Sequence, residues 1–150
     1  QYLYLGNIDA LRDWGHAKDY VEIQWRILQQ KKAEDYVVAT GRQETVREFI
    51  GLAAKEIGWG GITWEGNGLN EIGRRCDTNE IVIKIDPKYF RPCEVNSLVG
   101  DASKANKKLG WYPKTNLEGL VSDMITSDME IAKKESLLIK KGFKFSQPKE

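Results

Sequence analysis

One helix carries its own start and stop signals, and it constrains the rest of the chain. Thr45-Val46-Arg47-Glu48 is a capping box: the Thr45 hydroxyl can accept from the Glu48 N–H while the Glu48 carboxylate reaches back. Behind it Val46, Phe49, Ile50, Ala53 and Ile57 recur at helical spacing, and Gly58 supplies a left-handed stop. β-prone runs lie on both sides: Tyr36-Val37-Val38-Ala39-Thr40 before Gly41, and residues 59–65 after Gly58. A helix set between two strands predicts an α/β architecture, because each strand needs a ladder partner and the helix needs an apolar surface to lie on.

The remaining segments extend that pattern. Residues 2–5 read as a strand ending at the turn signal Gly6-Asn7. From residue 16 to 30, Ala17, Tyr20, Val21, Trp25 and Leu28 predict a helix with that stripe buried, and Lys31-Lys32 suit its C-terminus. Residues 36–40 read as a buried strand. Residues 66–79 are polar and poorly periodic, which predicts a surface loop. Ile81, Ile83 and Ile85 alternate within the strand at 80–86, which Pro87 ends. Asp101 is placed to cap a short helix closed by Gly110, with Ala102, Ala105 and Leu109 inside. Thr115-Asn116-Leu117-Glu118 reads as a second capping box. It opens a long helix with Leu117, Leu120, Val121, Met124 and Ile131 on its apolar face, running to about Lys140. The expectation is one mixed α/β domain over residues 1–150, with parallel pairing in the first half.

Composition excludes several function classes. A net charge of +1 gives no field for nucleic acid or a membrane surface, and no apolar run is long enough to span a bilayer. Cys76 and Cys93 have no second pair, so two free thiols in a reducing, cytoplasmic compartment are expected. One His and two Cys are a poor ligand set for zinc, so no zinc site is expected. The chain opens at Gln1 directly before a β-prone run, which is expected of part of a longer protein.

Three places could carry chemistry. In Tyr89-Phe90-Arg91-Pro92-Cys93-Glu94-Val95, Arg91 offers a planar fork of donors for a phosphate or carboxylate. Glu94 could accept from vicinal hydroxyls, or pair with Arg91 as a surface ion pair. In Arg12-Asp13-Trp14-Gly15-His16-Ala17-Lys18-Asp19, at a strand-to-helix junction, Arg12 can face an anion while Asp13 and Asp19 fix loop geometry. His16 is read as a helix-start residue that hydrogen-bonds locally, because no nucleophile lies beside it. Gly58-Trp59-Gly60-Gly61 follows a helix and precedes a strand, the reverse of a dinucleotide loop, and is read as a stop and turn. The five tryptophans are read mostly as packing anchors, with Trp25 on the buried helix stripe.

Several blocks then fall into a known order. They are Leu5-Gly6-Asn7 with residues 12–21, residues 36–41 with 45–49, residues 89–95, residues 100–105, and Leu109-Gly110-Trp111. Together they resemble the C-terminal half of the extended short-chain dehydrogenase/reductase superfamily. The pair RDWGHAKDYV and YFRPCEV is similar to the GDP-mannose 4,6-dehydratase family, and the resemblance covers nearly all of residues 3–130. It implies the substrate-binding portion of that α/β fold, a small mixed sheet with flanking helices. It implies a lyase activity on GDP-mannose, giving GDP-4-keto-6-deoxymannose and water with tightly held NADP, in GDP-deoxysugar (GDP-fucose) synthesis. It also implies a homo-oligomer, dimer or tetramer. By the same resemblance the cofactor loop and the Tyr-x-x-x-Lys pair belong to the N-terminal half. None of the six tyrosines here has Lys four residues on, so no catalytic residue is expected in this chain. Carried over residue by residue, Arg12 and Arg91 would hold the pyrophosphate, Glu94 the ribose, and Thr40-Gly41-Arg42 would lie along the nucleotide. Cys93 stands where a small residue such as Ala is usual, and Glu44 where relatives often carry His or Tyr. Another nucleotide-sugar epimerase or reductase, or a non-catalytic binding module, would share much of this pattern.

Overall fold

A computed structural model describes residues 1–91, 97 and 99–143. The elements in order are β1 (Leu3–Leu5), β2 (Leu11–Arg12), α1 (Ala17–Leu28), β3 (Glu44–Thr45), α2 (Val46–Glu56), β4 (Ile62–Glu65), a 3-10 turn (Gly68–Asn70), β5 (Ile72–Arg75), β6 (Ile81–Ile85), α3 (Ser103–Leu109) and α4 (Leu117–Lys140). Four strands form one sheet in the order β1-β6-β5-β4, and β2 pairs with β3 as a second, two-stranded ribbon. The mixed sheet with flanking helices is α/β, as expected.

The parallel pairing differs from expectation. β1 runs parallel to β6, with Leu3 opposite Ile83 and Leu5 opposite Ile85. The strands of the first half, β2 and β3, are antiparallel. β5 is the surprise of the sheet, since residues 66–79 read as a loop. Its Gly73 lies under Ile62, Trp64 and Ile83, each about 3.0–3.1 Å from where a Cβ would sit. A strand that must pass beneath a tryptophan has no room for a side chain there, so it lacks the β-branched signature by which strands are read.

Residues 36–40 are extended but form no ladder among the described residues. Tyr36 and Val38 pack on the cluster of Ile23, Ala105 and Trp111, while Val37 faces out. The Thr40 and Gly41 N–H groups go instead to the Asp13 carboxylate. The buried strand of the sequence reading is thus half-buried and unpaired.

Helix α1 corrects a second reading. Its buried face is Asp19 and Ile23, flanked by Tyr20 and Ile27 on the Trp111 cluster. Val21, Trp25 and Leu28 are 62%, 62% and 79% exposed. The helix is apolar on two sides, and both obey a 3.6-residue period, so spacing alone does not choose between them. Arg26 ties the buried side to α3 through the Leu109 and Gly110 carbonyls, both at 2.8 Å.

The helix ends are mostly as read. The Thr45–Glu48 capping box is complete and Gly58 has φ of 93°. Asp101 accepts from the Ser103 N–H and hydroxyl at the start of α3, although the cap position itself is Ala102. The second capping box does not form, and the cap lies one residue further on. Asn116 caps α4 by accepting from Gly119, because the Thr115 N–H is taken by Asp19. Beyond Val121 the expected apolar face of α4 is largely uncovered: Met124 and Ile131 are exposed.

α2 lies between the sheet and α4. Arg47 near its start spans Asp9, at 2.7 and 2.9 Å, and Glu71, at 2.5 and 3.2 Å, with its guanidinium over the Trp64 ring. These bonds, Asp9 first, stabilise the guanidinium charge, and Arg47 in turn holds the Asp9 carboxyl below its usual range.

Candidate functional site

The parallel pair β1 and β6 fixes where the candidate site begins. At their C-terminal ends the Asp86 N–H continues the ladder to the Leu5 carbonyl, at 2.8 Å. The chain then folds over residues 86–90, with the Tyr89 N–H on the Asp86 carbonyl and the Lys88 N–H on the Asp86 carboxylate. Tyr89 turns onto Gly6 so closely that a Cβ on Gly6 would lie 2.0 Å from the Tyr89 carbonyl oxygen. Only glycine admits that approach. Arg91 therefore starts, exposed, from the rim where open α/β sheets place ligands, the carboxyl ends of the strands.

The far end of the same loop returns to the Thr40 segment. Ser97 donates to the Gln43 side chain at 2.9 Å, and Gly100 sits against Ala39, with no space for a Cβ between them. Glu94 lies outside the described residues, as do Pro92, Cys93 and Val95. The described flanks are fixed: Tyr89 lies against Gly6 on one side, and Ser97 on Gln43 and Gly100 on Ala39 on the other.

Asp13 connects the third piece. Its carboxylate accepts from the Thr40 N–H at 3.0 Å, the Thr40 hydroxyl at 2.7 Å and the Gly41 N–H at 3.0 Å. Arg12 precedes it in β2, opposite Glu44, and is partly buried, with its Nη1 on the Leu11 carbonyl. Trp14, next along, stacks on Phe49 with centroids 4.6 Å apart and donates to the Glu44 carbonyl. The expected loop-fixing roles of Asp13 and Asp19 are what the structure shows. Asp19 accepts from the Lys114 and Thr115 N–H groups at 3.1 and 3.0 Å. His16 is the cap of α1, its Nδ1 accepting from the Lys18 N–H at 3.0 Å, with Asp123 3.4 Å from its other nitrogen. That is the local role read from the sequence.

Two clefts border Thr40 and Arg42. One, between α2 and the start of α4, is also lined by Glu44, Glu48, Lys55 and Glu118. It suits an anion poorly. The Glu48 charge, helped by burial and by Glu118, lifts the Glu44 carboxyl above its usual range, which marks a field already rich in negative charge. The other cleft joins Thr40, Gly41 and Arg42 to Gly100, Ser103 and Tyr112. It connects two blocks that sequence order keeps far apart and, among the described residues, has only Asp101 as a carboxylate. Gly100 and Tyr112 could have been singled out only from the tertiary approach of Gly100 to Ala39, which no local signal encodes.

Among solved structures, the chain superposes on RMD from Pseudomonas aeruginosa complexed with NADPH with a TM-score of 0.63 and 23% identity, over 87% of this chain and 36% of that one. It superposes on UDP-glucose 4-epimerase from Thermotoga maritima with UDP-glucose with a TM-score of 0.65 and 22% identity, over 88% of this chain and 36% of that one. The chain thus shares its α/β fold with these two proteins. Sequence narrows this: the family profile described as GDP-mannose 4,6 dehydratase matches residues 1–124. Curated proteins of that name match from Yersinia enterocolitica, at 47% identity over 96% of this chain and 41% of the relative, and from Drosophila melanogaster, at 50% over 91% and 34%. The human GDP-mannose 4,6 dehydratase matches at 48% over 85% and 34%. The chain belongs to the GDP-mannose 4,6 dehydratase family, and it spans well under half the length of these relatives.

Proposed function

We propose that this chain is the nucleotide-sugar-binding portion of a GDP-mannose 4,6-dehydratase. Arg12 and Arg91 hold the pyrophosphate, Glu94 holds the ribose hydroxyls, and Thr40-Gly41-Arg42 run along the nucleotide. The observation that supports this is that segments distant in sequence meet beside each of these residues, through the Gly6–Tyr89, Ala39–Gly100 and Asp13–Thr40 contacts. Guanidinium forks from two separate segments match a diphosphate, and a carboxylate in the same loop matches vicinal hydroxyls. The whole protein would convert GDP-mannose to GDP-4-keto-6-deoxymannose and water. This chain's share is to bind and orient the substrate.

NADP is the cofactor this reaction implies, and the glycine cluster at residues 58–61 does not fit its dinucleotide. Gly58, Gly60 and Gly61 have positive φ but follow α2 and precede β4, whereas a phosphate loop follows a strand and opens a helix. On this reading the cofactor is held mainly by the remaining length that the relatives have, which also carries the proton-transfer groups, and the protein would be a lyase only when that length is present.

The test is a chimera in which residues 1–124 replace the matching stretch of the Yersinia enterocolitica relative. It should turn over GDP-mannose with NADP, while residues 1–150 alone should not. By calorimetry the chimera should prefer GDP-mannose to UDP-glucose. Arg91→Ala should weaken GDP-mannose binding by about 2 kcal/mol, the scale of a lost charge-assisted hydrogen bond. Unchanged affinity removes Arg91 from the site. Preference for UDP-glucose assigns the chain to an epimerase or reductase instead.

A further inference from the structure

Gln43 stands between two segments that the site needs. It precedes Glu44, the residue opposite Arg12 in the β2–β3 ribbon. Its backbone is fixed on both sides. The Gly41 N–H goes to the Asp13 carboxylate, and the Glu44 carbonyl accepts from the Trp14 indole N–H. Past β3 the ribbon is bonded to buried chain, with the Val46 N–H on the Ala10 carbonyl at 3.2 Å and the Arg47 N–H on the Ile8 carbonyl at 2.8 Å. From this firm base the Gln43 side chain accepts from the Ser97 hydroxyl at 2.9 Å. The two residues are 54 apart in sequence, so the bond ties two segments and does not shape a turn.

The other end of the amide is costly. A primary amide carries an acceptor oxygen and two donor hydrogens. The Gln43 oxygen is taken by Ser97, while Nε2 is buried and meets no acceptor among the described residues. A buried donor left without a partner works against stability, and an apolar side chain of the same length would not incur that loss. What stability does not explain, the bond to Ser97 does: the useful atom of Gln43 is the oxygen that holds a distant loop.

That loop carries the candidate anchors. Arg91 follows two residues after Tyr89, which is seated on Gly6, so its position is set from that side. Glu94 comes three residues before Ser97. Three residues reach at most about 10 Å, so a fixed Ser97 bounds where the Glu94 carboxylate can go. Freedom removed in advance is freedom that a ligand need not remove on binding.

We propose that Gln43 is a positioning residue of the substrate site: it holds the Ser97 hydroxyl, and through it keeps the Glu94 carboxylate in reach of the ribose of a nucleoside diphosphate. This rests on the reading that Arg91 and Glu94 grip the nucleotide. Gln43 acts through Ser97 and does not itself touch the substrate.

The test is calorimetry of GDP and 2′-deoxy-GDP on the chimera described above. Gln43→Met should raise the GDP dissociation constant about fivefold, the scale of one lost hydrogen bond. It should change 2′-deoxy-GDP binding much less, because that ligand lacks one of the hydroxyls that Glu94 would hold. Ser97→Ala should match Gln43→Met, the double variant should be no weaker than either, and Ser97→Thr, which keeps the hydroxyl, should bind as the parent does. The KM for GDP-mannose should rise with kcat unchanged. In urea unfolding of the 150-residue chain, Gln43→Met should leave the midpoint unchanged or raise it, since a buried unpaired donor is removed. Additive losses for residues 43 and 97, equal losses with both nucleotides, or a midpoint that falls in step with affinity each overturn the proposal. If Arg91→Ala weakens GDP binding and Gln43→Met does not, this inference falls and the nucleotide reading stands. If neither weakens it, the nucleotide reading fails and the role of Gln43 fails with it.

Discussion

Asp13 brings three donors from residues 40 and 41 onto one carboxylate, next to Arg12. Its removal leaves the part-buried Thr40 N–H and hydroxyl, and the exposed Gly41 N–H, without their charged acceptor. Asp13→Ala should cost about 2–3 kcal/mol in urea unfolding, and Asp13→Asn less, because one oxygen still accepts. In the chimera both should weaken GDP-mannose binding, since the Thr40–Arg42 segment loses its anchor. Arg47 is a different kind of residue, a structural clamp. Glu71 is 8% exposed, so Arg47→Met strands a nearly buried carboxylate and should cost about 3 kcal/mol by the same measurement. Replacing both partners with Met should recover much of that loss. A double variant as unstable as the single one would show that Glu71 is not what Arg47 satisfies.

Where elements meet, Asp19 is the joint. It sits 4% exposed on α1 and receives the two N–H groups just ahead of the α4 cap, while the Trp111 indole N–H donates to its carbonyl at 3.0 Å. Burial alone would raise its carboxyl. The Thr115 and Lys114 donors, with His16 nearby, outweigh burial and hold it below the usual range. A folded value below the unfolded one gives stability that is full above the usual carboxylate pKa of about 4. That stability is lost as pH falls through the lower folded value. Asp19→Asn should therefore lower the melting temperature at pH 7 and flatten its decline between roughly pH 5 and pH 2. An unchanged acid limb would place the acid sensitivity elsewhere. The same joint shows what the sequence made legible. The capping box at Thr45, the glycine stops at 58 and 110 and the isoleucine alternation in β6 are local signals, and each held. The start of α4 slipped by one residue because a distant carboxylate takes the Thr115 N–H. β5 was hidden because Gly73 answers to Trp64 across the sheet. Of the candidate site, the blocks and their order were legible, and so were the local roles of Asp13 and His16. The return of Gly100 onto Ala39 was not, because it is a contact between segments about sixty residues apart.

At the scale of the molecule, the second apolar face of α1 matters most. Val21, Trp25 and Leu28 stand out from the body on a helix whose other side is already buried, and Val37 of the unpaired extended segment is exposed too. A core does not need this face, since Ile23 and Trp111 close it from the other side. The relatives are more than twice as long as this chain, and their additional length is the natural cover for an apolar helix face and an extended segment without a ladder. The consequence is a substitution whose cost depends on context. In the 150-residue chain Trp25→Glu replaces a mostly exposed side chain and should shift stability by no more than about 0.5 kcal/mol. In the chimera the same change would place a carboxylate in a covered apolar contact and should cost several kcal/mol or abolish folding. Urea unfolding of both proteins, with and without the substitution, measures the difference directly. Equal small effects would mean that the face stays in solvent even when the rest of the relative is present, and that the unpaired segment at residues 36–40 is complete as it stands.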